Sequence, residues 1–323
     1  MLKITSKFTL LITAFFLTYL YAPQSSANYA HTIALKIKSE PLRATEICSD
    51  QNDLLCEISS DFQPLYTGNH IADYQKEIRS YGSNPAEMEF ILINSKPYLY
   101  YVFQKVKEYH LPAQLVFVPA AETNYQAHSI SSAGAAGLWQ FMPATAHEFN
   151  IHMRPGYDGR SDILQSTDAG LHHLMASYKR FGNWLLAMAA YNCGDGRVDE
   201  AIRYNLARHR PTDFWSLPLP HQTKVYVRNI LAISAIMTRP SKFGIKLPDI
   251  PNRPYFSKIQ IKQNITPSNA GFIAGINFND MKKLNPAITD WQNTLNTDYT
   301  LLVPQSKKEE VLDRLSSIDA VAA

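Results

Sequence analysis

Seven consecutive apolar residues, Leu115-Val116-Phe117-Val118-Pro119-Ala120-Ala121, end directly on an acid, Glu122. A segment that is apolar on every face has no side to offer to water. It must run through a core, as a buried strand or a buried helix, and periodicity does not choose between the two. An acid at the end of such a run is costly unless it is solvated, paired or protonated. Burial raises a carboxyl pKa toward the range where the group can hold and donate a proton near neutrality. Glu122 is therefore the candidate reactive residue, and a glutamate bonded to local amides at a helix end is the plain alternative.

Helical periodicity dominates the chain around this run. Tyr98, Tyr101, Val102, Lys105, Val106 and Tyr109 follow the i, i+3, i+4 rhythm, with Pro97 suited to a first turn. Ser129 to Gly137 is rich in Ser, Ala and Gly and reads as a tight loop, and Pro143 can start a short helix through Phe149. Asp162 to Arg180 places Leu171, Leu174, Met175 and Tyr178 on one face. Trp184 to Tyr191 (WLLAMAAY) is apolar all round, which predicts a buried helix. Val198–Ala207 and His221–Met237 complete the helical set. The fold class expected is mostly α, with a helical domain over 96–240.

The flanks read differently. Residues 28–95 form a helical or irregular N-terminal region, with no structure assigned to 28–60 and a helical pattern from Ile71 interrupted at Gly82 and Pro85. Pro248, Pro251 and Pro254 mark residues 241–254 as a linker. Beyond it, 255–305 predicts a small α+β unit: strands at Ile259–Ile261 and Tyr299–Val303 enclose two short helices, Pro267–Ala274 and Phe278–Leu284. Residues 306–323 form a C-terminal helix or tail.

Composition narrows the function classes. Apolar residues make up 46% and charged residues 18%, as in globular chains, and a net charge of +3 is too balanced for a dedicated nucleic-acid binder. Lys3 and Lys7, an apolar run of 14 residues (Phe8–Tyr21) and Ser25-Ser26-Ala27 predict a signal peptide over 1–27 and an exported protein. Export is disulfide-permissive. Cys48 and Cys56, eight apart, could close a small loop, and the sequence leaves their pairing open; Cys193 reads as a small buried residue. No H-E-x-x-H, P-loop or G-x-S-x-G occurs, and the adjacent His172-His173 point to different helix faces. No metal and no organic cofactor is expected.

The segment after Glu122 adds a pattern. Glu122-Thr123-Asn124-Tyr125 leads to Ser131-Ser132-Ala133-Gly134-Ala135-Ala136-Gly137-Leu138-Trp139-Gln140-Phe141-Met142-Pro143-Ala144-Thr145-Ala146. Phe181-Gly182-Asn183-Trp184, Ala189-Ala190-Tyr191-Asn192-Cys193-Gly194-Asp195-Gly196-Arg197-Val198 and the stretch 212–231 (TDFWSLPLPHQTKVYVRNIL) follow in order. Together they resemble the soluble-type lytic transglycosylases over about residues 96–250. The resemblance implies a lysozyme-like domain with Glu122 as its catalytic acid. It implies substrate contacts from Ser131, Gln140, Met142, Tyr191, Asn192 and Tyr226. Tyr125 and Trp139 join Tyr191 and Tyr226 as expected stacking walls for sugars.

It further implies an activity. The substrate would be peptidoglycan glycan strands, cleaved between N-acetylmuramic acid and N-acetylglucosamine to leave 1,6-anhydromuramic acid. The expected place is the periplasm or cell envelope and the expected state a monomer, with membrane association left open. Phe256-Ser257-Lys258-Ile259, Leu284-Asn285-Pro286 and Leu301-Leu302-Val303-Pro304 resemble a diverged LysM module, with Gln263-Asn264 where a Gly-Asp turn is usual. Gln222 stands where one branch of the family has an acid, Ala127 where it has Pro, and no lipobox is visible. A hydrolytic muramidase on the same fold and a non-catalytic peptidoglycan-binding protein are the rival readings.

Overall fold

The computed structural model describes residues 52–262, 265–295 and 298–322. The expected signal peptide and Cys48 lie outside them. Cys56 is disulfide-bonded and Cys193 is a free thiol.

The apolar run resolves as helix. A 3-10 turn, Ala113–Phe117, passes into a short α-helix, Val118–Thr123. In chain order the helices preceding it are α1 (Leu54–Ser60), α2 (Gln75–Ser83), α3 (Pro85–Ser95) and α4 (Leu99–Glu108), so Val118–Thr123 is α5. After it come α6 (Pro143–Glu148), a two-residue hairpin β1 (Met153–Arg154) and β2 (Tyr157–Asp158), then α7 (Ile163–Phe181), α8 (Trp184–Cys193), α9 (Asp195–Leu206) and α10 (His221–Met237). The mostly helical expectation holds.

Local chemistry sets the ends of the central helices. Asp162 caps α7 by accepting from Leu164 N at 2.8 Å and Gln165 N at 2.7 Å, and Gly182 ends it in the left-handed region at φ 64°. One residue later Asn183 caps α8 through the amides of Leu185 and Leu186. The two helices therefore fold back on each other through a tight turn. In α8 every residue from Leu185 to Ala190 is buried, which makes it the axis of the domain. Helix α10 buries Ile230 to Met237 and packs on α8, α5 and α2.

The N-terminal region is more structured than its sequence suggests. Helix α1 lies within the stretch given no structure, held by Asp53, which accepts from Leu55 N at 2.9 Å. Seven residues are too few to show a helical period, so the signal is in the cap and not in the pattern. Glu77 of α2 is buried and faces Arg228 Nε of α10 at 3.1 Å. The proline-rich stretch 241–254 is no free tether: Phe243, Ile245 and Ile250 are buried, Leu54 N donates to Ile250 O at 2.9 Å, and Asn252 N donates to Asn52 O at 2.7 Å. Its apolar residues between the prolines gain more from covering α1 than from water.

The C-terminal unit has the expected β-α-α-β order: β3 (Phe256–Ile261), α11 (Pro267–Ile273), α12 (Phe278–Leu284) and β4 (Tyr299–Pro304), followed by α13 (Lys308–Ala322). Strands β3 and β4 pair antiparallel, Phe256 opposite Pro304 and Ile261 opposite Tyr299. Asn285 accepts from Leu302 N and donates to Leu302 O and Met281 O, so one amide joins α12 to β4. The β1–β2 hairpin, not anticipated from sequence, plugs the helical domain into this unit. Tyr157 lies in the unit's own core, Asp158 N donates to Ala287 O at 2.8 Å, and Thr289 N donates to Gly156 O at 2.9 Å.

Trp139 is fully buried and its ring packs flat on Gly170 of α7, where a Cβ would fall inside the indole. Overpacking of this kind costs about 1–3 kcal/mol. We expect Gly170→Ala to lower the urea midpoint by a corresponding amount, while Gly196→Ala, where a Cβ meets open space, leaves it nearly unchanged.

Candidate active site

Glu122 is the penultimate residue of α5, and the turn after it is unusual. Asn124 and Tyr125 both lie in the left-handed region, at φ 51° and 61°. Two such residues in succession persist only where their surroundings fix them. Asn124 N donates to Ala120 O at 3.0 Å, Asn94 Nδ2 donates to Asn124 O at 3.1 Å, and Tyr125 Oη donates to Val116 O at 2.5 Å. A helix of six residues is thereby held rigidly enough to aim one carboxyl.

That carboxyl is half-buried, and burial pushes its pKa up to about 7, partly offset by the hydroxyl of Tyr226, which favours the charged form. Tyr226 Oη is buried and has no partner at hydrogen-bond geometry among the described residues, so it acts on Glu122 as a nearby hydroxyl and not through a formed bond. No second carboxylate is among the groups that shift Glu122. Tyr191 and Tyr226 both feel the charge of Glu122, and burial first, then that charge, holds their hydroxyls far above the usual range, so both stay protonated donors.

Three helices meet here. Tyr191 Oη donates to Trp139 O at 2.7 Å, and its ring lies 6.3 Å from Phe141 and 4.8 Å from His173. Asn192 Oδ1 accepts from Thr223 Oγ1 at 2.9 Å, tying the end of α8 to the start of α10. So Glu122 from α5, Tyr191 and Asn192 from α8 and Tyr226 from α10 converge, although 104 residues separate the first from the last.

Ser131, Gln140 and Met142 belong to the loop that carries Trp139. Ser131 Oγ accepts from Ala135 N at 3.0 Å. Gln140 takes φ 48° and donates to Gly137 O at 2.8 Å. Gly137, at φ 81°, leaves no room for a Cβ beside the Arg160 carbonyl, and Arg160 Nη1 donates to Gly134 O at 2.6 Å. Ser131 and Gln140 thus spend part of their bonding on the loop's own shape. Met142 is 40% exposed, a thioether presented to solvent just ahead of α6.

Two expectations are corrected. Tyr125 and Trp139 are 1% and 0% exposed, and their polar tips are committed to Val116 O and to Thr167 Oγ1. Neither ring is a wall for a ligand; both are core. Gln222 is exposed in the first turn of α10. His173, Asn94 and Arg160, which the sequence does not single out, brace Tyr191, Asn124 and the loop. A lone polar residue in a helix or short turn gives no signal until its partner is known. Cys193 is half-buried, with burial pushing its thiol up, so it is not an activated nucleophile. Among the described residues no group of three or more His, Cys, Asp or Glu could hold a metal.

Comparison with known proteins supplies a frame. Residues 100–213 match the family described as "Transglycosylase SLT domain". The chain is 32% identical over 249 residues to membrane-bound lytic murein transglycosylase D of Escherichia coli K12, covering 77% of this chain and 55% of that one. It is 36% identical over 111 residues to the soluble lytic murein transglycosylase of the same strain, covering 32% and 17%. The 70 kDa soluble lytic transglycosylase from Escherichia coli, a solved structure, aligns at 18% identity with a TM-score of 0.38, covering 71% of this chain and 43% of that one. The chain spans about half the length of membrane-bound lytic murein transglycosylase D.

Two outcomes test the electrostatics. The folded pKa of Glu122 lies above its ordinary value near 4.5, so its proton favours the folded state at low pH. That contribution is complete below about 4.5 and is lost as pH climbs through about 7. Glu122→Gln should therefore gain stability over the wild type at pH 8, on the order of 2 kcal/mol, and show no gain at pH 4, read by urea unfolding. Tyr226→Phe removes the hydroxyl that favours the charged form, so carboxyl NMR should find Glu122 titrating at higher pH than in the wild type.

Proposed function

We propose that this chain, whose residues 100–213 match the family described as "Transglycosylase SLT domain", is a lytic transglycosylase that cleaves peptidoglycan glycan strands with Glu122 as its single acid and base. What supports the reading is one half-buried carboxyl whose pKa burial pushes up to about 7, with the Tyr226 hydroxyl nearby and no carboxylate among the described groups that shift it. A hydrolytic glycosidase uses two carboxyl groups about 5–5.5 Å or 6.5–9.5 Å apart. A lone carboxyl suits chemistry that returns the proton it receives to the same atom.

Protonated Glu122 donates to the glycosidic oxygen and the C1–O bond of N-acetylmuramic acid breaks. The ionised carboxylate then takes the proton of the C6 hydroxyl of the same sugar as that oxygen bonds to C1. The proton lost in the first step is regained in the second, no water is consumed, and a 1,6-anhydro ring results. Tyr226 moderates the pKa, so the group releases its proton and takes one back near neutral pH. Tyr191, Asn192, Gln140, Met142 and Ser131 are the groups we assign to the glycan. The names of both relatives, lytic murein transglycosylases, support the substrate class. A murein substrate places the activity in the cell envelope. Among the described residues no helix is long and apolar enough to cross a membrane.

The test is mass spectrometry of fragments released from purified sacculi. We expect non-reducing anhydro-muropeptides whose summed mass equals that of the strand. Glu122→Gln should lower release by at least about 10²-fold, the low end for a general acid, and the wild-type rate should fall as pH rises through about 7. Reducing, water-added products would make the chain a muramidase. Retention on sacculi without release would make it a binding protein.

A further inference from the structure

The segment that leaves the catalytic turn forms one wall of a second cavity. The pocket measures about 400 Å³, and its far wall belongs to the C-terminal unit. Gln126, His128 and Ser129 line the near side, and Lys283 of α12 lines the far side. Asn94 and Tyr98 complete the lining. They also fix the two walls: Asn94 donates to Asn124 O, and Tyr98 Oη donates to Lys283 O at 2.6 Å. The cavity exists only because the helical domain and the C-terminal unit are bonded together.

Its chemistry is one-signed. Among the described residues no carboxylate lines it. Lys283 is exposed and has no ion pair among the described residues. Lys282 stands beside it, close enough that its charge, after burial, helps hold the His128 imidazole below its usual range. At neutral pH the pocket therefore offers an unneutralised ammonium opposite a neutral imidazole, an amide and a hydroxyl. That set fits a carboxylate on a peptide-like group: Lys283 supplies the charge, Gln126 and Ser129 supply donors, and the His128 ring, which already donates to the Lys282 backbone, is left to accept from a peptide N–H. A bare glycan of N-acetylated sugars brings no anion to such a place, except the lactyl group where it is unsubstituted.

We propose that this pocket receives the carboxylate-bearing stem peptide of the strand whose glycan lies at Glu122. This rests on the transglycosylase reading above. The stem branches from the muramic acid that is cleaved, and the near wall of the pocket runs from Gln126 to Ser129, in the segment that leaves the turn after Glu122 and Thr123.

The experiment compares wild type, Lys283→Gln and Lys307→Gln on sacculi and on the same strands stripped of peptide by an amidase. Lys307 lines a neighbouring cavity of about 320 Å³ that Lys283 also borders and is absent from the lining of the first, so it controls for that neighbouring pocket. The readout is the ratio of release rates on peptide-bearing and peptide-free strands. Wild type and Lys307→Gln should favour peptide-bearing strands, and Lys283→Gln should lower the ratio roughly fivefold, the scale of one hydrogen bond's net contribution. In parallel, adding an isolated stem tetrapeptide should shift the His128 imidazole resonances of the wild type and not of Lys283→Gln. An unchanged ratio in Lys283→Gln, or an equal fall in Lys307→Gln, overturns the pocket assignment. Wild type that releases fragments from neither substrate overturns the transglycosylase reading, and this inference with it.

Discussion

The site depends on withdrawing one carboxyl partly from water. Glu122 sits where α5, α8 and α10 converge, and burial holds its pKa near neutrality. Leaving a charge there is expensive. The surrounding groups are arranged so that the site tolerates both protonation states: the Tyr226 hydroxyl supports the anion, and Tyr191 remains a neutral donor tied to the backbone of Trp139. A site with more water would return the carboxyl to its ordinary range, and one with a nearby cation would pull it lower still.

Much of the chain exists to hold that arrangement. The helix that carries Glu122 has six residues and would not persist alone. It is fixed by the 3-10 turn before it, by two left-handed residues after it and by Asn94 from the N-terminal region. Helix α10, which brings Tyr226, is in turn pressed against α2, where buried Glu77 meets Arg228. Removing one partner of such a pair leaves a buried charge, so the pair specifies position more than it adds stability. The N-terminal helices are part of the frame of the site, though they lie outside the residues matched to the family.

The C-terminal unit is likewise a fitted part. Its core contains Tyr157 from the helical domain, and its backbone shares hydrogen bonds with Gly156 and Asp158. The hairpin that makes this joint is two residues a side, too short to leave a periodic trace in sequence. The expected linker failed for a related reason. Proline frequency marks stiffness, and whether a stiff segment spans solvent or lies on a surface is decided by the apolar residues between the prolines.

Legible in the sequence alone were the helical character, the β-α-α-β order of the last unit and the placement of an acid, Glu122, at the edge of the core. Each rests on local chemistry: an apolar run with nowhere to go but inside, Asp162 and Asn183 as caps, and an acid at the end of the run. Tertiary structure decided which aromatic rings are withdrawn into the core. Tyr125 and Trp139 carry the same sugar-stacking chemistry as Tyr191, yet both are core, because the indole packs on Gly170 and the phenol reaches back to Val116. It also decided that Tyr226, rather than another carboxylate, acts on Glu122. Residue type fixes what a side chain can do; only long-range packing fixes how much water and which neighbours it has, and those two quantities set its pKa and its access to a substrate.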